Sequence, residues 1–172
     1  MGDPKKSRKK YRTPRMPWRS DILAGELQLL GSYGLRNKRE LWKTKTMLSN
    51  IRGQARLLLA MPEVERKVKE NLLLNRLLNY SLVKPGSALD NILNLTVEDI
   101  LERRLQTIVW RKGLAKTPHQ ARQFITHRQV SLGDQIVKTP SLLVKVQEEN
   151  IVKLREGSSI SMLVSQAPRG SE

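Results

Sequence analysis

The chain has 172 residues, 32 Lys and Arg against 16 Asp and Glu, a formal net charge of +16 and no cysteine. Such an excess of one sign points to a polyanionic partner, either nucleic acid or an anionic membrane surface, and the missing thiols exclude disulfides, cysteine nucleophiles and Cys-ligated zinc or iron–sulfur sites. An apolar fraction of 38% fits one small domain or two rather than a large enzyme core, and no apolar run approaches the roughly 18–20 residues of a membrane span. The opening MGDPKKSRKKYRTPR lacks a signal peptide's apolar core, so a soluble intracellular protein is expected. The charge is uneven: residues 1–56 carry +11, residues 57–99 carry −1, residues 100–138 carry +6, and the rest sum to zero. Two basic blocks imply two contact surfaces, or one surface fed by two parts of the fold.

Residues 1–19 form a basic extended arm. Lys5, Lys6, Arg8, Lys9, Lys10, Arg12, Arg15 and Arg19 are interleaved with Pro4, Pro14 and Pro17, and aliphatic side chains are almost absent. Such a segment either stays a solvated tail or orders along phosphates. Tyr11 and Trp18 either stack on bases or pack on the body.

A helical domain is expected over residues 20–100. Ser20 caps a first helix whose apolar side is Ile22, Leu23, Leu27 and Leu30; Gly31 ends it and Gly34 turns the chain. Asn37 and Glu40 fit a capping box for a second helix reaching about Ala60, with Leu41, Leu48, Ile51, Ala55 and Leu58 as its buried stripe. Lys38, Lys45, Arg52 and Arg56 fall in one band beside that stripe. A one-sign row on one helical face suits a phosphate backbone, whereas a solvated face usually mixes signs. Pro62 starts a third, core-packing helix to residue 79, with Val64, Val68, Leu72, Leu73 and Leu77 inward, and no site is assigned to it. A turn at Lys84-Pro85-Gly86 leads to a short helix around Leu89–Leu93.

The next helix starts at Thr96-Val97-Glu98-Asp99 and is expected to run to Lys112, where Gly113 stops it. Thr117-Pro118-His119-Gln120 then combines a Thr cap, Pro at the first helical position and Gln at the third. That helix reaches about His127, with Ala121, Phe124 and Ile125 inward and His119, Gln120, Gln123 and His127 on the polar side. Beyond Arg128 the pattern changes to period two. Strands are expected at Val130–Leu132, around Ile136, over Leu142–Val146 and over Ile160–Val164, followed by a flexible tail over residues 166–172. The fold class is α+β, with a small antiparallel sheet following two short helices.

Catalysis is not expected. The two histidines stand eight residues apart without a HExxH pattern, no phosphate-binding glycine motif occurs, and the acidic pairs Glu98/Asp99 and Glu148/Glu149 are sequence neighbours whose side chains diverge. No metal site and no cofactor are implied. The segment 100–138 combines cations with planar hydrogen-bonding side chains, which suits the shape and 2′-OH groups of folded RNA. A DNA helix-turn-helix also fits two short helices, but the following sheet and the lack of a dimerisation heptad weaken it. A membrane-surface helix needs bulky aromatics, and only seven aromatics are dispersed through the chain.

Arg104-Leu105, Lys112-Gly113, Ala121-Arg122-Gln123 and His127 together resemble the RNA-binding module named after small-subunit ribosomal protein four. Two positions depart from its usual pattern: Val130-Ser131-Leu132-Gly133 lacks an Asn, and Arg128 stands where Gly is frequent. Upstream, the run from Leu29 to Trp42 and the start Met1-Gly2-Asp3-Pro4-Lys5-Lys6 resemble the archaeal and eukaryotic form of the ribosomal protein four family, and the length fits the archaeal form. The resemblance covers nearly the whole chain and makes residues 101–165 the RNA-binding module. It implies a primary rRNA-binding protein of the small subunit that nucleates assembly of the body and contributes to decoding accuracy. The implied partners are small-subunit rRNA, neighbouring small-subunit proteins and mRNA near where it enters. The protein would be a monomer within cytoplasmic ribosomes, with no membrane contact. By position, Arg104, Lys112, Arg122, Gln123 and His127 inherit the RNA-facing role. Helical geometry adds Arg111, Lys116, Gln120, Arg128 and the Lys38/Lys45/Arg52/Arg56 row. Two alternatives stand beside this: an rRNA-processing or assembly factor of the same architecture, and an RNA-anchored enzyme such as a pseudouridine synthase. The enzyme would need a second catalytic domain for which the length leaves no room.

Overall fold

The computed structural model of the chain describes residues 9–155, apart from the Val64 side chain. Lys5, Lys6 and Arg8 of the arm, the expected Ile160–Val164 strand and the tail lie outside the described residues. Eight helices and a small sheet follow in order: α1 (Ser20–Ser32), α2 (Lys38–Leu59), α3 (Glu63–Asn79), α4 (Leu89–Leu93), α5 (Val97–Glu102), α6 (Leu105–Arg111), α7 (Pro118–Thr126), β1 (Val130–Leu132), β2 (Gln135–Ile136), α8 (Val146–Glu149) and β3 (Val152–Leu154). The α+β class holds.

The longest helix, α2, buries Leu41, Thr44, Leu48, Ile51, Ala55 and Leu58. This is the 3.6-period stripe visible in the sequence. One core gathers Leu48, Ile51, Ala55 and Leu58 with Leu73 and Leu77 of α3, Leu89 and Ile92 of α4, and Ile100 of α5. A second core gathers Leu105, Ile108 and Val109 of α6, Ala121, Phe124 and Ile125 of α7, and Val130, Val144 and Val152. Between them Leu35, Leu41 and Leu101 form a small joint with Leu29, Leu30 and Tyr33 beside it.

Several local expectations are corrected. Arg19, not Ser20, occupies the N-cap of α1, and the helix runs through Gly31 to Ser32. Gly34 takes the left-handed turn at φ 59°. Leu27 is exposed, and the buried residue of α1 is a carboxylate, Glu26. On α3, Val68 and Leu72 are 64% and 67% exposed rather than core. Leu73 and Leu77 are the α3 residues that enter the core with α2, α4 and α5, and Val68 and Leu72 are turned away from it. Asn37 is the N-cap of α2 but its side chain makes no cap bond, and the Glu40 side chain is engaged elsewhere.

The single helix expected over residues 96–112 is two. Thr96 and Asp99 close the expected start as a reciprocal capping box. The helix then breaks at Arg104, whose backbone is extended at φ −73°, ψ 141°. The segment 140–144, which overlaps the strand expected over Leu142–Val146, causes the break. Leu105 N–H donates to Leu142 O at 2.8 Å, Gln106 N–H to Pro140 O at 3.4 Å, and Val144 N–H to Arg103 O at 3.0 Å. These carbonyls give the orphan N–H groups at the start of α6 partners that its own helix cannot supply. Val146 therefore lies in α8 and not in a strand. Among the described residues the third strand of the sheet is β3: the order is β2-β1-β3, with Leu132 opposite Gln135 across the Gly133-Asp134 turn and Val130 opposite Leu154.

Candidate nucleic-acid interface

Thr117 Oγ1 accepts from Gln120 N–H at 3.1 Å and Pro118 fills the first helical position, which fixes where α7 begins. Ala121, Phe124 and Ile125 face the core, so His119, Gln123, Thr126 and His127 are left on the open side, and all four are exposed. Gly113, at φ 71°, follows the C-cap of α6 and turns the chain toward α7, where Lys116 N–H meets Gln120 Oε1 at 2.8 Å. Arg128 follows His127 in the left-handed region, φ 61°, and is exposed. A conformation suited to glycine is thus filled by a cation, and the left-handed φ is the physical reason for Gly to be frequent at this position of the module.

Residues 103–133 contain no Asp or Glu. Arg104 and Arg122 are neutralised from outside by Glu40 of α2, and Arg103 by Glu149 of α8 at 2.9 Å. Arg104 Nη2 donates to Glu40 Oε2 at 2.8 Å, and Arg122 grips the same carboxylate as a fork, Nη2 to Oε1 at 2.7 Å and Nη1 to Oε2 at 3.1 Å. Burial raises the Glu40 pKa, but the Arg122 hydrogen bonds and the charges of Arg104 and Arg122 outweigh it and hold the carboxyl below its ordinary value. Gln106, fully buried, reinforces the joint: its Nε2 donates to Gly34 O at 2.9 Å, Pro118 O at 3.0 Å and Tyr33 O at 3.3 Å, and its Oε1 accepts from Arg122 at 3.4 Å. The start of α7 is therefore fixed to the α1–α2 turn.

A second interior carboxylate repeats the device. Glu26, 2% exposed, accepts from Lys45 Nζ at 2.8 Å and Trp42 Nε1 at 3.0 Å, and Lys38 Nζ lies 3.6 Å away. Burial again raises its pKa, and the Lys45 and Trp42 hydrogen bonds with the two lysine charges bring it below the ordinary value. Glu26 and Glu40 are missed by sequence reasoning. The signal for Glu26 was a lone acid on the apolar side of α1, between Leu23 and Leu30.

The expected RNA-facing residues accordingly divide. Arg104, 2% exposed, is corrected to a buried structural cation. Arg122 is half-buried on Glu40, and Gln120 is half-buried with its Oε1 accepting from Lys116 N–H at 2.8 Å. Arg111 pairs with Glu102 at 2.8 Å and lies over the Trp110 ring, while Lys112 Nζ donates to Glu149 O. In the α2 row, Lys38 and Lys45 hold Glu26 and Arg52 donates to Leu95 O at 2.5 Å, so only Arg56 is exposed. Three of the four row residues thus tie α1 and the turn between α4 and α5 to α2.

Among the described residues, Lys116, Gln123, His127 and Arg128 remain open at the module, with His119 and Lys138 added to them. On the arm, Lys10, Arg12, Arg15 and Arg19 are exposed. Lys9 lies 5.4 Å from the Tyr11 ring, and Tyr11 packs on Trp42 at 5.8 Å instead of projecting outward, whereas Trp18 is 86% exposed. Arg12 N–H donates to Thr46 Oγ1 at 3.0 Å, so this part of the arm lies on α2. Arg36, Arg39 and Lys43 are exposed as well and were not singled out in the sequence. Arg39 and Lys43 are one helical turn apart, the signal that could have found them. No group of three His, Asp or Glu among the described residues is placed to hold a metal, and no described helix is long and apolar enough to cross a membrane.

Comparison with known proteins gives matches over both parts. Residues 5–102 match the family model described as the ribosomal protein S4/S9 N-terminal domain, and residues 103–150 match the S4 domain. The small ribosomal subunit protein uS4 of Saccharolobus solfataricus is 51% identical over 153 residues, 88% of this chain and 84% of that protein. The protein of the same name from Hyperthermus butylicus is 49% identical over 152 residues, 88% of this chain and 86% of that protein.

Proposed function

The chain belongs to the ribosomal protein S4 family, whose matched relatives are archaeal, and on that premise we propose that it is a structural constituent of the small ribosomal subunit that binds small-subunit rRNA directly. The observation that carries this is the acid-free stretch 103–133: Arg104 and Arg122 are neutralised by Glu40 from α2 and Arg103 by Glu149 from α8, and its outer side presents Lys116, His119, Gln123, His127 and Arg128 with no carboxylate among them. A surface of cations beside amide and imidazole groups binds phosphates and reads 2′-OH groups and exposed base edges of folded RNA. The arm, reaching the same body across α2, supplies the second basic contact. A protein that grips RNA from two parts of its fold holds distant RNA segments together, which is how it would nucleate assembly of the subunit body and bear on accuracy, beside neighbouring small-subunit proteins.

The test uses the absence of cysteines. Gln123→Cys provides a single attachment point for a hydroxyl-radical probe, and cleavage of a Saccharolobus solfataricus small-subunit rRNA transcript should map to one compact RNA region. Lys116→Gln with Arg128→Gln should make the salt dependence of binding shallower by about two. Uniform cleavage, or an unchanged salt slope, would contradict the assignment of this face. Stoichiometric recovery in mature small subunits is expected; recovery only in precursor particles would favour an assembly factor.

A further inference from the structure

The third helix was given no role by the sequence, yet one of its side chains closes a basic cleft. Lys43, Thr46, Asn50 and Gln54 are spaced three, four and four residues apart on α2, so they share one face. Arg76 of α3 and Lys10 of the arm reach the same cleft, which encloses about 260 Å³. Three cations from three separate segments converge with a hydroxyl and two amides, and no carboxylate of the described residues lines the space. Lys10, Lys43 and Arg76 are exposed and form no ion pair within the described residues, unlike Arg66, Lys67 and Lys69 of α3, which pair with Glu70, Glu63 and Glu65. The walls are held in place: Leu73 and Leu77 fix α3 in the core, and the Arg12–Thr46 hydrogen bond and the Tyr11–Trp42 contact fix the arm. One turn of a helix, roughly 10–12 Å across with a pitch of about 5.4 Å, would not fit. A small anion would.

We infer that this cleft is a phosphate site and that its occupant is a phosphodiester of the RNA backbone. Lys43, Arg76 and Lys10 supply the charge, and the Asn50 and Gln54 amides supply neutral donors that orient the phosphate oxygens, while the Thr46 hydroxyl, which donates to Trp42 O at 2.7 Å and accepts from Arg12 N–H, lines the cleft. Lys and Arg at this spacing neutralise without reading sequence, so the cleft positions RNA and leaves discrimination to the module. The docked arm builds one wall, which makes RNA binding here and arm docking mutually reinforcing. This rests on the RNA-binding reading above.

The full chain is titrated with the same rRNA transcript across a salt series. Lys43→Gln combined with Arg76→Gln should make the slope of log affinity against log salt shallower by about one to two, with an unchanged helical signal. Lys67→Gln, on the same helix but away from the cleft, should leave the slope as it is. An unchanged slope in the double variant, or an equal loss in Lys67→Gln, would overturn the proposal. The Asn50 and Gln54 side-chain amide resonances should move with the transcript and with inorganic phosphate alone. If they move with phosphate while the double variant's slope is unchanged, the cleft takes free phosphate only, and the RNA assignment fails. If the unaltered chain does not bind the transcript, the family-based reading fails with it, and the phosphate titration alone decides whether the cleft holds an anion.

Discussion

Glu40 and Arg122 meet at 2.7 Å across 82 residues of sequence, and with Arg104 they join the long helix of the N-terminal part to both helices of the module. The pair is not a surface ornament. Arg104 retains 3% of its side-chain exposure and Glu40 retains 16%. Removing the carboxylate therefore strands a guanidinium that cannot deprotonate.

Glu40→Gln should lower the unfolding free energy by about 3 kcal/mol, measured by urea denaturation. Adding Arg104→Met, which removes the stranded charge while keeping volume, should recover part of that loss. A double variant no more stable than the single one would contradict this account.

Stability should respond to pH at both ends. Glu26 and Glu40 titrate below their ordinary value of 4.5 in the folded chain. Their contribution is present above that value and is lost as pH falls through the lowered folded values. Tyr33 works in the other direction. Burial and the hydrogen bond to Glu102 push its phenol from 10.0 up to about 12. Between those values the unfolded chain releases a proton that the folded chain keeps, so stability falls as pH rises. Denaturation of Tyr33→Phe should show a weaker alkaline loss, and Glu40→Gln a weaker acid loss.

Gly34 and Gly53 should respond oppositely to alanine. At Gly34 a Cβ would lie 2.7 Å from Pro118 Cβ, and the residue is at φ 59°. Gly34→Ala should cost about 2–3 kcal/mol and loosen the start of α7. Gly53, within α2, has nothing within 4 Å of an added Cβ, and Gly53→Ala should raise stability by about 0.5–1 kcal/mol. Melting temperatures of the two variants suffice to check the opposite signs.

Arg128→Gly should separate stability from binding. Relief of the left-handed strain should stabilise the chain by about 1 kcal/mol or less. Loss of the cation should make the salt slope of RNA binding shallower by about one. Stabilisation with an unchanged slope would mean that the guanidinium touches no phosphate.

Helices were legible where one physical signal dominated. The α2 stripe, the Thr96 and Thr117 caps and the Gly113 stop are local, and each is seen in the structure. The break at Arg104 was not legible, because its cause is a set of carbonyls from Pro140 and Leu142, far along the chain. The same limit applies to the interface. Helical spacing placed Lys38, Lys45 and Arg52 on one face, but no local rule tells a cation facing solvent from one held by a distant acid. Glu40 had a local explanation as a capping residue, and its tertiary partners prevailed over it. Gln123 and His127 were open as expected because α7 is amphipathic and no described residue packs over its outer side.

The joint at Glu40 also bears on the order in which the protein can mature. A chain emerges from its own synthesis N-terminus first, so α2 is available while residues 104 and 122 are still to come. Until then the Glu40 carboxylate is solvated and the Gln106 partners at Tyr33 and Gly34 stand open. The N-terminal part thus waits half-finished, and it is the later half of the polypeptide that seals the first third.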